Sequence, residues 1–136
     1  MSERKHIRML LVNDENEYCE RFQEVVDLSS YCYDIDCHCV ENAKEAIDAI
    51  AKWNPDLVML DLFLPDMDSS KVLNLCTKEK TPIIVTSEEQ LIDVGKNYLD
   101  KGVSGYFKLG EDPEEFDQIL SRVAELANEK PSYQQC

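Results

Sequence analysis

NPDLVMLDLFLPDMD, residues 54–68, decides the fold of this chain. Positions 57–60 are four apolar residues in a row, too few for a helix and set behind the breaker pair Asn54-Pro55, so they read as a buried parallel strand. The run ends on Asp61. In an open α/β sheet, a carboxylate at the carboxyl end of a central strand lies in the crevice where such sheets bind ligands, at the switch point of their topology. Asp61 is therefore the first candidate for chemistry. An acid that merely ends a strand at water is common, so its company decides the matter.

Upstream, Asn42 offers a cap for a helix whose buried stripe is Ala43, Ala46, Ile47 and Ile50, with Trp53 closing its end before the breaker pair. Further back, 7–12 is an apolar run broken only by Arg8, and it stops at Asn13-Asp14, which puts Asp14 in a position like that of Asp61. Tyr18, Phe22, Val25 and Val26 recur at helical spacing over 16–28. Residues 31–40 alternate: Tyr33, Ile35, Cys37 and Cys39 share one face, and Asp34, Asp36 and His38 the other. That pattern suits a half-exposed edge strand.

Downstream, 68–77 reads as a short helix with Val72, Leu73 and Cys76 inward. Thr81-Pro82 restarts an extended segment, 83–85, that ends in Thr86-Ser87. A weaker fourth helical segment over 91–99 contains a glycine and is closed by Gly102. Residues 105–109 read as a fifth strand. After Pro113, the residues Phe116, Ile119, Leu120, Val123 and Ala127 form the inward stripe of a last helix. Residues 129–136 read as a flexible tail on a single domain spanning 1–128.

Five strands alternating with five helices predict an α/β, doubly wound parallel sheet, because right-handed crossovers place helices on both faces. In the flavodoxin-like (βα)5 order 2-1-3-4-5 the second strand takes an edge, and the first and third meet at the switch point. Asp14 and Asp61 are then expected to face each other. Residues 13–18 hold no glycine, which argues against a phosphate loop for a nucleotide or flavin.

Fourteen basic against 28 acidic residues give a formal charge of -14, which repels nucleic acid and anionic membranes. Most of these acids read as a solvated surface. No apolar run is long enough to span a bilayer and the amino terminus is no secretory signal, so a cytoplasmic protein is expected. The six cysteines then read as thiols. Cys37-His38-Cys39, with Cys32 nearby, fits no usual zinc spacing, and core packing is the expected role; Cys136 is the expected exposed thiol.

Two carboxylates in one crevice repel each other, and a hard divalent cation, Mg2+, relieves this with oxygen ligands. An ionised aspartate can also accept a phosphoryl group, the metal offsetting its charge, while the Thr86 hydroxyl and the Lys108 ammonium contact the phosphoryl oxygens. The bland alternatives are a helix-capping Thr86 and a surface Lys108.

NDE at 13–15, PDLVMLDLFLPDMD at 55–68, PIIVTS at 82–87 and SGYFK at 104–108 resemble the receiver domain of bacterial two-component response regulators. The likeness covers about residues 6–128. It implies that Asp61 is the phosphoacceptor, Asp14 a Mg2+ ligand with the Phe63 backbone carbonyl as another, Thr86 the switch hydroxyl and Tyr106 the switch aromatic. Partners would read the state on the surface of the fourth helix, fifth strand and fifth helix. A histidine kinase or phosphotransfer protein would be the donor and an output protein the receiver of the signal, with no direct contact to nucleic acid or membrane. The chain would be a self-phosphorylating switch with at most autophosphatase activity, and not a turnover enzyme.

Three positions depart from that pattern. Asn13 stands where a second acid is usual, which lowers the charge of the metal site. Ser69 replaces the glycine after the Pro65 loop, a change expected to be tolerated if the backbone needs no positive φ. Lys108 follows Tyr106 by two residues instead of three, so either Leu109 fills the lysine slot or the preceding turn is one residue shorter and Gly105 fills the aromatic slot. These departures keep a second function open, an unphosphorylated receiver acting as a constitutive interaction module. An electron carrier of the flavodoxin type is a third, lacking its phosphate loop.

Overall fold

Five strands, β1 (Lys5–Val12), β2 (Tyr33–Val40), β3 (Leu57–Asp61), β4 (Ile83–Ser87) and β5 (Gly105–Lys108), form one parallel sheet in the order β2-β1-β3-β4-β5. The computed structural model describes residues 5–28, 33–62, 69–87, 100–108 and 113–128. Within them the helices are α1 (Asn16–Leu28), α2 (Ala43–Trp53), α3 (Ser69–Glu79) and α4 (Pro113–Asn128). This is the doubly wound, flavodoxin-like architecture expected from the alternating pattern. The expected fourth helical segment at 91–99, Phe63, Leu109 and the tail at 129–136 lie outside the described residues.

Strand alternation sorts the core into two layers. Met9, Leu11, Leu57, Met59 and Ile84 point to the side covered by α1 and α4, where they meet Phe22, Phe116, Ile119 and Val123. Leu10, Val12, Val58, Leu60 and Val85 point to the other side, onto Ala46 and Ile50 of α2 and Val72 and Cys76 of α3. Every residue of β3 and of β4 is buried, as central strands covered on both faces require. Tyr18, Phe22 and Phe116 lock α1 to α4 with ring centroids 5.8 to 6.2 Å apart.

Local chemistry fixes the element ends. Asn42 caps α2 by accepting the Glu45 N–H at 2.8 Å, and Asn54 ends it in the left-handed region at φ 55°, donating its N–H to the Ile50 carbonyl. Behind that turn, Asp56 accepts the Arg8 N–H at 2.9 Å and donates its own to the Arg8 carbonyl at 2.8 Å, pinning the start of β3 to β1. Arg8, the polar break in the first apolar run, lies with its guanidinium 5.9 Å from the Trp53 ring centroid, and His38 packs on that ring from the edge strand at 5.4 Å. Among the described residues no helix is long and apolar enough to cross a membrane.

Candidate functional site

At the carboxyl ends of the strands the register writes the site. Val12 pairs with Leu60, so Asn13 and Asp61 come next on neighbouring strands; Asp61 pairs with Thr86, and Thr86 with Phe107. Asn13, Asp61 and Thr86 continue the alternation that points Leu11, Met59 and Ile84 toward α1 and α4. The three polar side chains thus share one face, across three adjacent strands. All three are buried, with exposures of 2%, 8% and 1%. Buried polar groups are costly unless satisfied, which makes this row the place to ask what each atom does.

Thr86 Oγ1 donates to the Leu60 carbonyl at 3.4 Å, and the Thr86 carbonyl accepts the Leu62 N–H at 3.0 Å, so the two strand ends are tied on both sides of Asp61. The Ser69 hydroxyl donates to the Leu62 carbonyl at 3.0 Å and reaches the Asp61 carbonyl at 3.4 Å. Serine replaces the expected glycine at no conformational cost, because among the described non-glycine residues only Asn54 and Lys80 have positive φ. Its hydroxyl anchors the start of α3 on the strand that carries Asp61. The resemblance marked the position; the anchoring role was not legible in it.

Asn13 donates its backbone N–H to the Val40 carbonyl at 3.0 Å, and its Oδ1 accepts the Glu15 N–H at 2.8 Å. That second bond orients the amide and engages one lone pair of its oxygen within the turn. Among the described residues the buried Nδ2 has no hydrogen-bond partner. The residue in place of a second acid therefore brings to the row a donor suited to a carboxylate or phosphoryl oxygen. Asp14 follows it, exposed, in the β1–α1 turn. Among the described residues no three His, Cys, Asp or Glu side chains cluster closely enough to hold a metal ion. The oxygen donors brought to this end of the sheet by Asp61 and Asp14 are nevertheless of the kind that suits Mg2+, which binds through one or two carboxylates and keeps several waters.

On β5, Phe107 packs against the α1–α4 layer and Tyr106 against the opposite one, half-buried. A Cβ on Gly105 would lie 2.8 Å from the Phe107 ring and 3.5 Å from Arg122 Cγ of α4, so Gly105 is on the Phe107 side of the strand and Tyr106 on the other. Lys108 pairs with Ser87, is exposed, and by alternation lies on the Tyr106 side of the strand, opposite to that of Asp61 and Thr86. The next position on the Asp61 side is 109, outside the described residues.

For Cys37, Cys39 and Cys76 the expected role is core packing. Cys76 fits that reading: it is fully buried, and burial pushes its thiol up to about 12. Cys37 packs half-buried against the α1–α4 core. Cys39 does not fit, since it is exposed and lines a cleft together with Cys19 of α1. The sequence carries no signal for that pairing, because α1 and β2 meet only in the fold.

The parallel 2-1-3-4-5 sheet, with Asp61 at the end of its central strand, is that of a signalling receiver domain. The chain belongs to the response regulator receiver domain family, which matches residues 9–121. It is 26% identical over 125 residues to the regulatory protein AtoC of Escherichia coli K12, a match that covers 90% of this chain and 26% of that protein. The chain spans about a quarter to a half of the length of such curated relatives. Among solved structures it superimposes on the signal receiver domain of a LuxO repressor protein from Vibrio parahaemolyticus with a TM-score of 0.75 at 28% identity, over 89% of each chain. The response regulator domain of Thermotoga maritima CheB gives a TM-score of 0.77 at 18% identity, covering 93% of this chain and 100% of that one, a likeness of fold.

Proposed function

We propose that this receiver accepts a phosphoryl group on Asp61 from a phosphohistidine donor, a histidine kinase or phosphotransfer protein, and thereby changes its affinity for an output partner. The observation that carries the reading is the burial of Asp61 at the end of central strand β3, in register with Thr86 of β4. The Asp61 carboxylate attacks phosphorus, the P–N bond breaks, and an acyl phosphate forms while the imidazole leaves. Asp14, Asp61 and the Phe63 carbonyl would hold Mg2+, which when bound offsets the charge of the transferred group. Asn13 Nδ2 supplies a donor where the second acid is missing. The Thr86 hydroxyl then exchanges the Leu60 carbonyl for a phosphoryl oxygen, and Tyr106, half-buried against the α2–α3 layer, follows as the switch aromatic. Lys108 contributes weakly in this reading, reaching the group only around the strand end. The reaction is a single self-modification in the cytoplasm, reversed by hydrolysis.

The test is the intact mass after incubation with acetyl phosphate, with Mg2+ or with chelator, beside Asp61→Asn. An adduct that requires both Mg2+ and Asp61 supports the reading, and labelling of the Asn variant sinks it. Asn13 and the side of β5 taken by Lys108 favour a second reading, a receiver that binds its partner constitutively. The absence of any adduct with acetyl phosphate and with a phosphohistidine donor would select it.

A further inference from the structure

Between α1 and β2, on the edge of the sheet, lies an open cleft of about 360 Å³ lined by three cysteines, Cys19 of the helix and Cys37 and Cys39 of the strand. Cys19 and Cys39 lie close enough for each to shift the other's ionisation, Cys19 upward and Cys39 downward. Cys19 is 6% exposed, whereas Cys39 faces solvent. A reagent in the cleft therefore meets Cys39 first, with the buried Cys19 lining the same cleft behind it. Neither residue belongs to the Asp61 site.

We propose that Cys19 and Cys39 form an oxidation site, a dithiol that hydrogen peroxide converts to a disulfide bridging α1 and β2. The attacking sulfur is that of Cys39. The neighbouring Cys19 lowers its pKa, against the opposing effects of partial burial and of Cys37. Cys39 itself, burial, and the Glu41 and Glu20 charges keep the proton on Cys19. In the first step the Cys39 thiolate attacks a peroxide oxygen: an S–O bond forms, the O–O bond breaks, and hydroxide leaves as water after taking a proton. In the second step Cys19 sulfur displaces the sulfenic oxygen of Cys39: an S–S bond forms, the S–O bond breaks, and the Cys19 proton departs in the second water. Two thiols are oxidised by two electrons and one peroxide is reduced to two waters. Cys37, pushed up to about 12 chiefly by burial, remains a thiol. The bridge would hold α1, the helix that follows Asp14, against the edge strand.

The experiment is peptide mapping of the full chain under non-reducing conditions, before and after hydrogen peroxide, with wild type, Cys37→Ser and Cys39→Ser. The expected result is the loss of two hydrogens and a linked peptide pair containing Cys19 and Cys39, in wild type and Cys37→Ser alike. Cys39→Ser, altered at an exposed position that the fold tolerates, should give no bridge to Cys19. Cys19→Ser should leave a Cys39 sulfenic acid that dimedone traps. A bridge from Cys39 to Cys37 or to a second molecule, or a Cys39 that stays reduced while the folded protein is exposed to peroxide, would overturn the proposal.

Discussion

Asp61 and Thr86 are register partners at the carboxyl ends of β3 and β4, and the Thr86 hydroxyl is spent on the Leu60 carbonyl at 3.4 Å, a long bond. A weak bond is easily exchanged for one to a charged oxygen, which is typically about twice as strong as a neutral pair. Thr86→Ala removes the donor and a buried methyl, and should cost about 1–2 kcal/mol in urea denaturation. It should also leave phosphoryl transfer to Asp61 intact while uncoupling the adduct from partner affinity. Thr86→Ser should retain the coupling. Equal partner binding by phosphorylated and unphosphorylated Thr86→Ala is the outcome to look for in a pull-down.

Asn13→Asp should separate metal affinity from stability. An aspartate keeps the acceptor for the Glu15 N–H and removes the buried Nδ2, yet sets a new carboxylate beside Asp61 in a buried row. Without metal the like charges repel, so the midpoint of thermal unfolding should fall. With Mg2+ it should recover, and calorimetric titration should show affinity raised on the order of tenfold for one added charged ligand. A variant whose Mg2+ affinity stays at the wild-type level would remove position 13 from the metal's surroundings.

Lys108 is exposed and lies on the other side of β5 from Thr86. A solvated ammonium so placed is screened within a Debye length of about 8–10 Å. Lys108→Ala should therefore slow acetyl phosphate labelling by less than about threefold, because a screened surface charge is worth little. Asp61→Asn should abolish labelling. A drop of a hundredfold or more in Lys108→Ala would mean that the lysine crosses the strand end to the phosphoryl group in the reacting state.

Patterns of local origin were legible in advance, and relations between distant segments were not. The α1 and β4 spans, the Asn42 cap, the end of α2 at Trp53 and the edge place of β2 came from periodicity and breakers, which are properties of neighbouring residues. Strand order followed from the flavodoxin-like arrangement, in which the alternating second strand takes the edge. The position of Lys108 could not be read, because the sequence allowed two registers for a four-residue strand and alternation reverses every side chain when the register slips by one. Packing orients the strand: Phe107 lies against the α1–α4 layer and Tyr106 against the other. The Cys19–Cys39 pairing and the Ser69 anchor were illegible for a related reason, since each joins residues that only the folded sheet brings together.

That register is itself testable at Gly105. A methyl there would stand 2.8 Å from the edge of the Phe107 ring. Gly105→Ala should thus force the ring aside and destabilise the protein by about 1–3 kcal/mol, the usual cost of overpacking. In Phe107→Leu, where no ring edge lies in the way, adding Gly105→Ala should cost much less. A double-mutant cycle by denaturant unfolding should return a coupling of at least about 0.5 kcal/mol. Strict additivity would place the two residues on different faces and reopen the orientation of Lys108.

Cys76 makes stability depend on alkaline pH with a definite sign. It is fully buried among Val72, Leu73 and Ile50, and burial alone raises its thiol from the ordinary 9.0 to about 12. Between these values the unfolded chain has released this proton and the folded one has kept it. The folded state therefore binds more protons, and stability falls as pH rises. The contribution is fully present below 9.0 and is lost on the way to about 12. Cys76→Ala, which deletes the titrating group, should be less stable at neutral pH by about 1 kcal/mol for its small cavity. Its unfolding midpoint should nevertheless decline less steeply than that of wild type between pH 9 and 11. Parallel declines in the two proteins would mean that the folded Cys76 thiol ionises as readily as an exposed one, and that its burial is relieved before the proton leaves.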